Sequence, residues 1–147
     1  TEFASMRAAY EDLDNDEKNE LEQLICVHDF AYSRSLIDTS LLDREDKYEL
    51  PPVRQAMIRK NPTNHRKNLF LGAHASYIEG WPLKKGRKLI KRLNKHITDC
   101  KYIYKHSWKR NDLVIWDNRC ALHRGRPWQR TYRRVMHRTT VVGSMTV

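Results

Sequence analysis

Three side chains near the end of the chain have the types and spacing to act on an anion. His123 is followed eleven residues later by Arg134 and fifteen residues later by Arg138. All three lie within NDLVIWDNRCALHRGRPWQRTYRRVMHRTTVVG, residues 111–143. On a strand through this region, Tyr132, Arg134, Met136, Arg138 and Thr140 share one face, and Arg133, Val135, His137 and Thr139 share the other. If the first face points inward, two arginines lie inside, their α-carbons roughly 13 Å apart at about 3.3 Å per residue. Buried unpaired guanidinium groups are very costly, so they imply acidic partners or bound carboxylates. Residues 50–147 contain only four acids, which points to an anionic ligand. The guanidinium fork suits a carboxylate because it engages both oxygens. A histidine on a strand is more often a hydrogen-bonded structural residue than a ligand. His123 therefore gains meaning only in combination with the arginines.

The elements that must carry these residues can be read from pattern. Residues 2–13 and 14–28 are expected to be helical. Asp14 stands three residues before Glu17 as a capping-box-like start, and Leu21, Leu24, Ile25 and His28 fall on one helical face. Residues 37–50, IDTSLLDREDKYEL, lack periodicity and are expected to form a long loop, either a lid or a plain connector. Val53–Ile58 and Asn68–Ala73 are strand-like, and Asn61-Pro62-Thr63-Asn64 between them has turn chemistry, so a hairpin is expected. Pro82–Cys100 reads as a helix with Leu89, Ile90, Leu93, Ile97 and Cys100 on its apolar face. The last 47 residues read as strands at Tyr102–Trp108, Leu113–Trp116, Ala121–Arg124 and Tyr132–Val142. Short strands at this spacing point to an antiparallel sandwich or barrel. The whole is read as one domain, mainly β with flanking helices: a helical segment 2–36, the loop 37–50, and a β core that includes helix 82–100.

The composition is that of a globular chain: 147 residues, 39% apolar and 31% charged. No run of 18 apolar residues exists, so no membrane-spanning helix is expected. No basic stretch followed by an apolar one resembles a secretory leader. Cys26, Cys100 and Cys120 are odd in number and match no zinc or redox spacing, so reduced thiols in a cytoplasmic protein are expected. The net charge of +10 is unevenly spread. Residues 1–49 hold fourteen acids and five Lys/Arg, a net −9, and residues 50–147 carry a net +19. This asymmetry suggests a nucleic-acid surface, a site for anionic small molecules, or an acidic region folded back on a basic one.

The segments DLVIWDNRCALHRGRP and RRVMHRTTV resemble the taurine/2,4-dichlorophenoxyacetate (TauD/TfdA-like) dioxygenases. Upstream, LPPVRQAMIRKNP, LFLGAHASYIEGWP and YIYKHSWKRNDLV fit the same family, so the resemblance covers nearly the whole chain. HRGRPW and LFLGAHA place it nearer the aryloxyalkanoate branch than the taurine branch. The resemblance implies a double-stranded β-helix (jelly roll) and a reaction dependent on Fe(II) and 2-oxoglutarate, with molecular oxygen hydroxylating a small anionic organic substrate as succinate and CO2 are released. His123 matches the family's distant metal-ligating histidine. Arg138 matches the arginine that binds the far carboxylate of 2-oxoglutarate. Thr1, in the context Thr1-Glu2-Phe3, matches a threonine that helps to hold that carboxylate. Arg134 matches a position that binds the acidic group of the primary substrate.

The chain departs from the family in one decisive way. None of His28, His65, His74, His96, His106, His123 or His137 is followed two positions later by Asp or Glu, so the family's His-x-Asp pair of metal ligands is absent. In the family that pair precedes the threonine matched by Thr1. The chain is therefore expected to be the C-terminal part of the domain, incomplete on its N-terminal side, inactive alone and partnered by the remaining N-terminal part. Gln129 also stands where an acid is expected. Two rival readings compete with the enzyme. One is a nucleic-acid-binding module built on Lys84, Lys85, Arg87, Lys88, Lys91, Arg92 and Lys95, although a solvated helix face is the plainer account and nucleic acid is the disfavoured partner. The other is a non-catalytic remnant of the fold in which Arg134 and Arg138 are structural. Homo-oligomerisation is left open.

Overall fold

The computed structural model describes residues 1–37, 50–129 and 131–141. The chain opens with strand β1 (Glu2–Ser5), which turns directly into helix α1 (Met6–Glu11). Ser5 makes this switch, its hydroxyl accepting from the Ala8 amide at 3.2 Å. The expected single helix over residues 2–13 is thus corrected to a strand plus a shorter helix. Phe3 and Ala4 are taken up by neighbouring strands, and those tertiary pairings override local helix preference.

Helix α2 (Asn15–Glu22) begins where expected, with Asp14 Oδ1 accepting from the Glu17 amide at 2.7 Å. It stops six residues short of the expected end. Ile25–His28 is strand β2, paired on one side with β3 (Val53–Ala56) and on the other with β6 (Ala75–Ile78). Stiff β-branched Ile25 and Val27 suit a pleated, half-buried surface. Helix α3 (Phe30–Ser35) follows, capped by Asp29. The loop expected over 37–50 lies, apart from its end residues, outside the described residues.

A hairpin forms around the expected turn, but with shorter arms than the expected Val53–Ile58 and Asn68–Ala73: β4 (Ile58–Lys60) pairs with β5 (Lys67–Leu69), Ile58 opposite Leu69, while Val53–Ala56 pairs with β2 and residues 70–73 form no strand. Asn61 shapes its turn, the side-chain oxygen accepting from the Thr63 and Asn64 amides. Helix α4 (Leu83–Ile97) follows Pro82. It buries Gly86, Ile90, Leu93 and Ile97, one face at helical spacing, against a core that includes Met6, Ala9, Leu21, Met57, Leu69 and Ile78. Cys100, expected on that face, instead lies exposed in a single 3-10 turn (Cys100–Tyr102). Strands β7 (Ile103–Lys105) and β8 (Ala121–Arg124) are the last regular elements among the described residues.

The result is an antiparallel β framework with helices packed on it. It comprises a sheet ordered β7-β1-β8, a sheet ordered β3-β2-β6, and the β4-β5 pair. Two expected strands are absent. Residues 113–116 form no strand, and Leu113 and Ile115 are 84% and 87% exposed. Residues 131–141 form none either. An extended segment needs a neighbour for its amides and carbonyls, and neither segment is paired in these three sheets. No described helix is long and apolar enough to cross a membrane.

The charge asymmetry has a direct structural outcome. Five acids among the first 22 residues pair with bases from the later part of the chain. Glu2 meets Arg124 at 2.6 Å, Asp12 meets Lys101 at 2.9 Å, and Glu22 meets Lys67 at 2.6 Å. Glu11 pairs with Arg66, and Glu17 with Arg92. Of the three readings of the asymmetry, the acidic region folded back on the basic one is observed.

Candidate functional site

His123 is on β8, directly opposite Phe3 of β1, which in turn faces Tyr104 of β7. Residues opposite one another across antiparallel strands share a face, so Tyr104, Phe3 and His123 form one row. Thr1, two residues before Phe3, is on that same face, about 7 Å along the strand. The structure therefore brings Thr1 and His123 together on one side of the sheet, although they are far apart in sequence. Trp116 covers the row, its ring centroid 5.2 Å from that of Phe3 and 5.1 Å from that of His123.

The register that sets this row is locked from behind. Glu2 is nearly fully buried on the opposite face and accepts a hydrogen bond from Arg124 Nε at 2.6 Å, with Arg126 Nε at 3.7 Å. The Arg124 hydrogen bond holds the Glu2 carboxyl below its ordinary range. Because Glu2 and Arg124 are direct cross-strand partners, a slip of one residue would break this pair and turn His123 to the other face. At the far end of the row, Trp108 Nε1 donates to Thr1 Oγ1 at 2.8 Å.

The other two expected site residues are placed differently. Arg134 is half-buried in irregular chain, with its guanidinium carbon 5.0 Å from the centroid of the Trp128 ring. Arg138 is exposed. The inward-facing strand expected to carry both is absent, so the described fold does not bring them to Thr1 and His123. A cavity of about 400 Å³ has Ala4, Leu122, Asn94, Lys95 and Gly72 in its lining, and Phe3 and His123 also border it. Asn94, Lys95 and Thr98 bring it the end of α4.

Imidazole is a donor that iron(II) accepts, so His123 fits a share of a metal centre. Among the described residues, however, no group of three or more His, Cys, Asp or Glu side chains is placed to hold a metal ion. These residues offer one ligand, not a centre. Sequence reasoning missed the Glu2–Arg124 lock, the Trp116 cover and the Trp108 contact with Thr1. No local spacing links Trp108 to a residue 107 positions away.

The family model described as "Taurine catabolism dioxygenase TauD, TfdA family" matches residues 1–140. An alpha-ketoglutarate-dependent 2,4-dichlorophenoxyacetate dioxygenase of Burkholderia sp. (strain RASC) is 47% identical over 143 residues, covering 97% of this chain and 48% of that protein. The enzyme of the same description from Cupriavidus pinatubonensis is 42% identical over 147 residues, covering 100% of this chain and 51% of its own length. Among solved structures, AAD-2 in complex with Mn(II) and N-oxalylglycine superposes with a TM-score of 0.82 at 41% identity, over 89% of this chain and 51% of that one. The chain thus spans about half the length of the relatives it matches. By its sequence match from Thr1 to Thr140, and by the fold it shares with these relatives, the chain belongs to the TauD, TfdA dioxygenase family.

Proposed function

We propose that this chain is the C-terminal part of an iron(II)- and 2-oxoglutarate-dependent dioxygenase that hydroxylates a small anionic organic substrate of the aryloxyalkanoic acid class, releasing succinate and CO2. The observation that carries this reading is the shared sheet face of Thr1 and His123, on a chain 47% identical to a 2,4-dichlorophenoxyacetate dioxygenase. In this reading the three sheets belong to a double-stranded β-helix whose remaining strands come from the N-terminal part of the domain. That part also supplies the His-x-Asp ligands. His123 contributes the third protein ligand. When bound, iron(II) supplies the oxidising chemistry. This chain's share is to bind and orient. Thr1 and Arg138 hold the far carboxylate of 2-oxoglutarate, and Arg134 holds the acidic group of the substrate. Arg134 and Arg138 reach these roles once neighbouring strands order residues 131–141. The free thiols at Cys26, Cys100 and Cys120 accord with a cytoplasmic protein.

The test is succinate release by the complete domain, with 2-oxoglutarate, iron(II) and 2,4-dichlorophenoxyacetate. His123→Ala is expected to abolish iron-dependent turnover. Arg138→Ala should raise the KM for 2-oxoglutarate by about tenfold or more, the loss of a charge-assisted contact, and Arg134→Ala should act on the substrate KM. Retained turnover in His123→Ala would sink the metal assignment. The opposite pattern in the two arginine variants would exchange their roles.

A further inference from the structure

We infer that Trp108 is a positioning residue that aims the Thr1 hydroxyl proton at the far carboxylate of the cosubstrate; this rests on the function proposed above. A threonine hydroxyl has one proton to donate and two lone pairs to accept with, whereas an indole N–H can only donate. In the 2.8 Å contact between Trp108 Nε1 and Thr1 Oγ1, the hydroxyl must therefore be the acceptor. Its own proton is directed elsewhere and is free for an anion. A Ser, Gln or water in the place of Trp108 could take either role and leave the hydroxyl pointing both ways. The indole removes that choice before any ligand arrives, which is pre-organisation in favour of an acceptor.

Trp108 is itself held in place. Its ring meets the edge of the His106 ring at 4.5 Å and 83°. His106 Nε2 is 3.0 Å from Asp112 Oδ2, and the same carboxylate oxygen accepts from the Lys109 amide at 2.8 Å. The His106 amide donates to the Thr1 carbonyl at 2.8 Å, tying the end of β7 to the start of β1. The segment from His106 to Asp112 thus forms a buttress behind one hydroxyl on the same sheet face as His123. None of His106, Trp108, Lys109 and Asp112 is among the residues of the hydrophobic core.

The experiment is equilibrium titration of oxygen-free complete domain with 2-oxoglutarate, alongside steady-state kinetics. Trp108→Phe keeps an aromatic ring and removes the donor. It is expected to weaken 2-oxoglutarate binding about fivefold, the value of one neutral hydrogen bond, while kcat at saturation stays within about twofold and the substrate KM is unmoved. Thr1→Ala should weaken binding at least as much, and the double variant should be no worse than Thr1→Ala alone, because one contact acts through the other. Full additivity, or an unchanged affinity in Trp108→Phe beside a weakened Thr1→Ala, overturns the inference. Unchanged affinity in Thr1→Ala instead removes the role proposed for Thr1, and no 2-oxoglutarate binding by the parent removes the proposed function. Should Trp108→Phe fail to fold, the indole Nε1–H resonance of Trp108 in zinc-loaded parent protein gives a second reading. It should move on addition of 2-oxoglutarate and stay still in Thr1→Val. A resonance indifferent to 2-oxoglutarate in the parent overturns the inference.

Discussion

His28 is the side chain whose chemistry and setting are most at odds. Its Nε2 is buried without a hydrogen-bond partner, its ring lies 5.3 Å from that of Phe70, and His74 and Arg59 add positive charge nearby. Burial, followed by the His74 charge, pushes its pKa below the ordinary 6.5. The folded state therefore prefers neutral imidazole, while the unfolded chain takes up a proton near 6.5. Stability from this site is complete above that value and is lost as the pH falls below it towards the lower folded value. We expect urea unfolding between about pH 7.5 and about pH 5.5 to show falling stability, and His28→Phe to flatten the slope. An equal slope in the variant would count against this account. The carboxyls shifted by ion pairs, Glu2, Asp12 and Glu22, are all lowered, so they titrate below this window. From the sequence alone His28 looked like one more residue on a helical face. Its burial comes from β2 standing between β3 and β6, which no neighbour in the chain announces.

Helix α4 shows how far an element can be read from its residues. Its apolar spacing and starting proline located it to within a few residues, and a glycine such as Gly86 inside a helix is ordinarily a local weakness. The tertiary contact reverses that judgement. A Cβ built on Gly86 would stand 3.3 Å from the backbone nitrogen of Ile78 and 3.4 Å from its Cβ, so the glycine lets the helix seat against β6. Gly86→Ala should raise stability by about 1 kcal/mol if helix propensity ruled. We expect a loss of about 1 kcal/mol instead, because backbone on β6 cannot yield as a flexible side chain can. The urea midpoint decides between the two signs. The strands were less legible than this helix. β8 has its expected bounds, Ala121–Arg124, whereas Leu113–Trp116 and residues 132–141 carry strand-like residues without a strand to pair with among the described residues. Alternation records which faces a segment could present, and pairing decides whether it forms.

At the scale of the molecule, acidic and basic halves are joined by ion pairs, all with exposed or half-exposed members apart from Glu2. Exposed pairs of this kind contribute little individually, but they consume charge that a nucleic-acid surface would need. Another part of the surface is poorly covered. Leu113, Ile115, Tyr132, Val135 and Val141 are all more than 60% exposed, and among the described residues each three-stranded sheet ends in unpaired edges at β7, β8, β3 and β6. Exposed apolar side chains and open strand edges each invite association. Produced alone, the 17.6 kDa chain is expected to self-associate at micromolar concentration, and Leu113→Lys with Ile115→Lys should shift it towards the monomer. Light scattering that finds a monomer at every concentration would refute this.

The sequence by itself determined the family, through long motifs around His123, and it determined helix caps, turns and the apolar face of α4, because these depend on residues within a turn or two of one another. It also identified His123 and Thr1 as candidates. Only the tertiary structure decided that they share a face, since that follows from the pairing of Phe3 with His123 across more than a hundred residues and from the Glu2–Arg124 contact that fixes the register. Tertiary pairing likewise turned residues 2–5 and 25–28 into strands and left residues 131–141 without one. Local preferences are worth tenths of a kcal/mol per residue. Burial of a whole strand between neighbours is worth several kcal/mol, so burial prevails wherever the two disagree.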